Sequence, residues 1–356
     1  MTTFSRTLVR SICLAACLIA AAAVAAAPAS AGENALKGFW GPPMLDGESA
    51  FPIYEDLGVD LFQIQLRWER TARTRPQNPT DPADPAYSWP ANLDFAVQEA
   101  RKHDMRVLIM VQGAPPWANG GSPEWSVPPT SDSDFAAFLT AAAKRYGGVR
   151  HWMIWGEVNN DFNWKGSVRR YARLLDRSYV TLKRSSRRNL VIGGNTFSGG
   201  DTKPVSFVQH LRLADGKRPR MDLYGHNPFS RRRPIISSRP SAQKFIAIPD
   251  IRRFDRTLQR SLRRPGRKRL RMFLSEYALP TQPNDGAFRD YFVSERTQAR
   301  WIRDAWRTAR REPSVYGLGW FSLRDTAASD GRAGRFAGLI APDGRRKPGY
   351  SAFKRG

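Results

Sequence analysis

The sequence predicts an α/β fold, a single-domain (β/α)8 barrel, on three observations. Short β-branched or aromatic runs alternate with amphipathic stretches eight times in about 325 residues. The residues that end these runs form a polar set with aromatic neighbours, as at the C-terminal face of such a barrel. The first run is followed by Gly41-Pro42-Pro43, which cannot cradle a pyrophosphate as the turn of a doubly wound sheet would. Strands are expected at 38–41, 61–67, 106–112, 151–157, 190–195, 221–226, 272–276 and 317–322. Helices are expected between them at 51–57, 92–103, 132–146, 168–187, 205–213, 251–264 and 297–310, with a short closing helix near 350–354. The helix at 168–187 has the clearest periodicity, with Val168, Tyr171, Leu174, Leu175, Tyr179 and Leu182 on one face and Arg or Ser between them.

Residues 1–31 read as a secretory signal peptide, so residues 32–356 are the expected barrel domain. Arg6 and Arg10 precede an apolar stretch from Ser11 to Ala27, which ends in Pro28 and the small residues Ala29-Ser30-Ala31. Both cysteines, Cys13 and Cys17, lie in this leader, which leaves the exported chain without disulfides or thiol chemistry. Leu14-Ala15-Ala16-Cys17 resembles a lipoprotein cleavage box, but few apolar residues precede Cys17 and ten follow it. Beyond the leader no run approaches the ~18 apolar residues of a membrane span. The expected location is therefore outside the cell or at its envelope.

In a barrel of this type the chemistry sits where the strands end. The strand-end residues are Trp40, Arg67, Gln112 with Trp117 beyond it, Glu157, Asn195, His226, Glu276 and Trp320. Desolvating a carboxylate costs several kcal/mol unless a partner or a function holds it there. Glu157 and Glu276, each closing an apolar run, are therefore expected to face one cleft. A facing carboxylate pair suits glycoside hydrolysis, in which one group protonates the leaving oxygen and the other attacks the anomeric carbon or activates water.

These residues resemble a known family. Trp155-x-Glu157-x-Asn159 together with Ser275-Glu276-Tyr277 is similar to the clan of TIM-barrel glycoside hydrolases with catalytic glutamates on strands four and seven, including cellulases of family 5 and β-xylosidase-like enzymes of family 39. The resemblance implies a retaining mechanism, with Glu157 as acid/base and Glu276 as nucleophile and their carboxyls ~5 to 5.5 Å apart. It also implies that Arg67 holds the nucleophile ionised and that Asn159 supports the site. One departure stands out. Such enzymes usually place Asn before the acid/base, to bind the sugar 2-hydroxyl, and Pro after it; here Gly156 and Val158 occupy those positions. Glycine leaves space in which a differently substituted sugar is expected to fit, with Asn159, Asn195 or Gln112 compensating for the missing amide.

The remaining expectations concern binding. His226, on the strand next to that of Glu276, is read as a hydrogen-bond partner near the nucleophile. Eight of the eleven tryptophans, Trp40, Trp68, Trp89, Trp117, Trp125, Trp155, Trp164 and Trp320, fall at or near strand C-termini. Flat aromatics suit the apolar faces of sugar rings. Trp40, Gln112, Trp117, Trp155, Asn195 and Trp320 are therefore the expected substrate contacts, with Trp320 as the platform beneath the cleaved sugar. No cofactor or metal is expected; Asp325 and Asp330 more simply solvate a turn than bind a cation. The chain carries 57 Lys+Arg against 32 Asp+Glu, for a net charge of +25. Segment 218–271 holds 17 of these bases and 3 Asp, which is read as a basic flank suited to an anionic cell-surface polymer. Arg231, Arg232 and Arg233 are the basic residues expected nearest the substrate. The partner is expected to be a poly- or oligosaccharide rather than nucleic acid. The alternative on the same fold is a carbohydrate-binding or adhesion protein without turnover.

Overall fold

In the computed structural model, which describes residues 35–230, 232–283, 290–326 and 335–356, eight parallel strands close into a barrel. They are β1 (Leu36–Trp40), β2 (Leu61–Arg67), β3 (Arg106–Gln112), β4 (His151–Ile154), β5 (Leu190–Phe197), β6 (Leu223–Asn227), β7 (Arg271–Tyr277) and β8 (Val315–Phe321). Neighbours in sequence are neighbours in the barrel, and β8 closes on β1 in the register Leu36↔Gly317 to Trp40↔Phe321. The leader 1–31 with Cys13 and Cys17, together with Arg231 and Asp330, lies outside the described residues.

The period-2 pattern of each strand divides the core in two. Leu61, Leu108, Met110, Met153, Ile192, Leu223 and Phe273 fill the barrel with Trp40. The intervening residues, such as Phe62, Ile64 and Leu66 on β2 and Val107, Ile109 and Val111 on β3, pack outward against the helices. On β3 this alternation carries Gln112 to the same side as Leu108 and Met110, at the mouth of the barrel.

The helical layer comprises α1 (Phe51–Asp56), α2 (Ala91–Lys102), α3 (Asp132–Arg145), α4 (Val168–Ser185), α5 (Pro204–His210), α6 (Ile251–Leu262), α7 (Glu295–Arg311) and α8 (Pro348–Lys354). Ser131, Ser167 and Ser294 cap α3, α4 and α7 by accepting a backbone N–H two or three residues on. The amphipathic stretch at 168–187 forms α4, which buries Tyr171, Leu174, Leu175 and Leu182. Among the described residues no helix is long and apolar enough to cross a membrane.

Two strands depart from regular pairing where they reach the cleft. Between Leu274 and Tyr277, β7 has one residue more than β8 has between Leu318 and Trp320. The bulge lets Glu276 face the cleft although Leu274 and Tyr277 both pack outward. A second bulge on β5, between Gly193 and Thr196, does the same for Asn195. The strand expected at 151–157 ends earlier, at Ile154. Trp155 and Glu157 adopt φ of +65° and +47°, which takes the chain out of the ladder before the glutamate is reached.

Candidate active site

A cavity of about 720 Å³ opens at the C-terminal ends of the strands, and both Glu157 and Glu276 line it. Glu157 is half-buried, and each of its carboxyl oxygens accepts one amide N–H: Oε1 from Asn227 Nδ2 at 2.9 Å and Oε2 from Asn163 Nδ2 at 3.1 Å. Burial raises the Glu157 pKa above the ordinary carboxylate value, and the two amide hydrogen bonds, which favour the charged form, oppose that rise. Burial dominates, so the group is biased toward the protonated form a general acid requires. Gln112 Oε1 accepts the backbone N–H of Gly156 at 3.1 Å and so braces the turn that presents Glu157.

The structure brings together Glu157, Glu276, Arg67, Trp40, Gln112 and Asn195 around this cavity. Arg67 is paired there with Glu69 at 2.6 Å and stacks on Trp125 at 4.2 Å, so its guanidinium is engaged by the turn that follows β2. His226 is fully buried; its Nδ1 pairs with Thr196 Oγ1 at 2.9 Å and its Nε2 with the Ile246 carbonyl at 3.0 Å. Both ring nitrogens are thus committed to the core, and burial lowers its pKa to about 4. A hydrogen bond to Glu276 is not open to it. Asn159 does not line the cavity. Its Nδ2 donates to the carbonyls of Phe197 and Thr202 and its Oδ1 accepts from Phe197 N–H, which ties the loop after β4 to the end of β5.

Most of the tryptophans serve packing. Trp155 donates to the Asn163 carbonyl at 2.7 Å and meets Trp164 edge-on; Trp117 donates to the Ala72 carbonyl and meets Trp68. Trp320 is buried against Tyr277, with its Nε1 donating to the Ser322 carbonyl. None of these three lines the cavity; its aromatic walls are Trp40, Trp125, Phe162, Phe197, Phe229 and Phe321. Phe162 is 76% exposed. Among the expected loop residues, Arg232 is tied to Ser237, Arg239 and Ser241, and Arg233 pairs with Asp304 at 2.6 Å. Asp325 is neither a turn solvator nor a cation ligand, because it is buried in an ion pair with Lys347 at 2.9 Å. Among the described residues no cluster could hold a metal ion.

The model of one family, Cellulase (glycosyl hydrolase family 5), matches residues 24–221, more than half of the chain and including Glu157. The chain belongs to this family. Solved structures share the fold of this family 5 member at low identity. A family 39 glycoside hydrolase from the gut symbiont Bacteroides cellulosilyticus WH2 aligns at 19% identity and TM-score 0.68, over 91% of this chain and 64% of its own length. A monomeric β-xylosidase from Caulobacter crescentus CB15 aligns at 17% identity and TM-score 0.61, over 90% and 67%. A family 5, subfamily 18 protein from Bifidobacterium longum subsp. longum, solved in complex with Manβ1-4GlcNAc, aligns at 14% identity and TM-score 0.63, over 90% and 77%. The chain thus spans less than two thirds of the first of these proteins. No curated protein matches it.

In this chain the space at the position before Glu157 is filled from elsewhere. A Cβ on Gly156 would lie 2.8 Å from Met110 Sδ and 2.9 Å from Gln112 Oε1. The space expected beside Glu157 for an altered sugar is therefore occupied by two β3 side chains. Sequence reasoning also missed the partners of Glu157. Asn163 lies six residues after it in an asparagine-rich loop that was a readable signal, whereas Asn227 comes from β6, and only the closed barrel reveals their proximity.

Proposed function

We propose that the protein is an exported retaining β-glycosidase that hydrolyses O-glycosidic bonds of a poly- or oligosaccharide. One observation carries the reading: a half-buried carboxyl biased toward protonation shares a single aromatic-walled cleft with a second glutamate. In the first step Glu157 donates its proton to the glycosidic oxygen while a carboxylate oxygen of Glu276 attacks the anomeric carbon, giving a glycosyl ester and the free leaving alcohol. In the second, Glu157, now ionised, takes a proton from water, whose oxygen attacks the same carbon and releases Glu276. Two inversions retain the configuration. Asn163 and Asn227 orient the Glu157 carboxyl through both steps, and Trp40 and Trp125 offer faces for sugar rings. The test is release of reducing ends from a polysaccharide panel by wild type and by Glu276→Ala; equal release by both would refute the assignment. N-terminal sequencing of protein recovered from the medium tests export, with a new terminus at about residue 32 expected.

A second proposal concerns the positive charge. Arg252, Arg253 and Arg269 on and after α6 are paired with Glu312, Asp250 and Asp255, so part of the helix flank is neutralised. An exposed group of bases, Arg184, Arg187, Arg263, Arg264, Arg267 and Lys268, lies in cavities at the N-terminal ends of β5 to β7, opposite the cleft. This supports attachment of an anionic polymer away from the chemistry. Retention on an acidic polysaccharide that survives replacement of Arg184, Arg187, Arg267 and Lys268 by Ser would refute it.

A further inference from the structure

The family amide that would bind a sugar hydroxyl from the position of Gly156 is absent, and Met110 and Gln112 fill its place. Of the residues able to compensate, Asn159 has three hydrogen bonds to backbone groups, and Gln112 Oε1 is engaged by the Gly156 N–H. Asn195 differs from both. It lines the cleft and is 1% exposed, yet among the described residues its Oδ1 has no hydrogen-bond partner. Among the described residues its Nδ2 has only Met110 Sδ at 3.9 Å, a weak acceptor. A buried amide left this way costs free energy that a ligand hydroxyl can recover.

The backbone is built to put it there. Asn195 has φ of +39° and follows Gly194 at +85°, within the β5 bulge that turns the side chain inward. Few non-glycine residues other than Asn and Asp tolerate this region. The neighbouring strand gives way to the bulge: a Cβ on Gly225 would lie 2.9 Å from both Cα and Cβ of Asn195. Met110 touches both the Gly156 niche and the Asn195 amide, so the two positions adjoin across one side chain.

We propose that Asn195 is the specificity-determining receptor for a sugar hydroxyl in this cleft, its Oδ1 accepting from that hydroxyl, with β5 supplying the contact that the family takes from β4. The proposal rests on the glycosidase reading and deepens it. The substrate class it selects is a glycoside whose reacting ring carries a free hydroxyl on the side of the ring next to Met110.

The test uses dinitrophenyl β-glucoside, β-xyloside and β-mannoside, and the monodeoxy analogues of whichever is hydrolysed fastest. Wild type should lose at least tenfold in kcat/KM on one of those analogues, because the receptor is then left unpaired. Asn195→Gly, which suits the left-handed backbone, should lose a similar factor on the parent and show no further loss on that analogue. Asn195→Asp keeps the acceptor and should keep the discrimination, each variant being read at its own pH optimum. If Asn195→Gly discriminates among the analogues as wild type does, the proposal falls while the glycosidase reading stands. If wild type hydrolyses none of the glycosides, or Glu276→Ala matches it, both fall together. Should Asn195→Gly not fold, loss of discrimination in Asn195→Asp overturns the proposal and its retention supports it.

Discussion

Restoring the family's amide by Gly156→Asn should damage this protein rather than improve it. The new Cβ would meet Met110 Sδ at 2.8 Å, Gln112 Oε1 at 2.9 Å and Met110 Cε at 3.1 Å, against ~3.5 to 4.0 Å for unstrained contact. Overpacking of this kind costs about 1 to 3 kcal/mol. With ~2.1 cal/mol/K of unfolding entropy per residue over the barrel, that lowers Tm by about 1.5 to 4.5 °C. Displacing Gln112 would also break its hydrogen bond to the residue 156 backbone, which positions Glu157, so kcat should fall as well. Met110→Ala alone should cost about 2 to 5 kcal/mol through its cavity. The double variant Gly156→Asn/Met110→Ala should be less destabilised than the sum of the two, because the same volume is vacated and refilled. Calorimetric melts of the four proteins form the cycle. A Gly156→Asn variant as stable as wild type, or strict additivity in the double, would refute the claim that β3 has taken over this space.

Three further outcomes follow from the same geometry. Asn227→Ala or Asn163→Ala removes a hydrogen bond that favours ionised Glu157, so the alkaline limb of the kcat/KM profile should move to higher pH; no movement would show that these amides do not govern the acid. Because the folded-state pKa of Glu157 is raised, its proton stabilises the fold at low pH, and that contribution is lost as pH rises through the folded pKa. Glu157→Gln should thus raise Tm relative to wild type at pH 8 and not at pH 4. Lys347 and Asp325 are 0% and 2% exposed, and burial lowers the lysine pKa and raises the aspartate's. Lys347→Met leaves Asp325 buried without its cation and should cost about 3 to 5 kcal/mol in denaturant unfolding.

The barrel was legible because hydrophobic runs report which residues leave water. β2 and β3 begin and end where the pattern of Leu61 to Arg67 and Arg106 to Gln112 places them. The end of β4 was not, since a left-handed Trp155 leaves no trace in an apolar run. At the site the two glutamates stood out as carboxylates ending buried strands. The roles of Arg67, His226 and Trp320 did not, because each is decided by a partner from a turn or loop, Glu69, the Ile246 carbonyl and the Ser322 carbonyl, whose position depends on the closed fold. The tryptophans misled for a related reason: a large ring at a strand end packs loop against helix as readily as it faces a sugar. Trp68 stacking on Phe138 is one case.

In the proposed reaction Glu276 attacks the anomeric carbon while Glu157 supplies the proton. Incubation with an activated 2-deoxy-2-fluoro glycoside, whose ester to the enzyme turns over slowly, followed by peptide mass spectrometry, tests it most directly. One glycosyl adduct is expected, on the peptide bearing Glu276, and none in Glu276→Ala. An adduct on another residue, or turnover by wild type with no adduct and with inverted product, would contradict it.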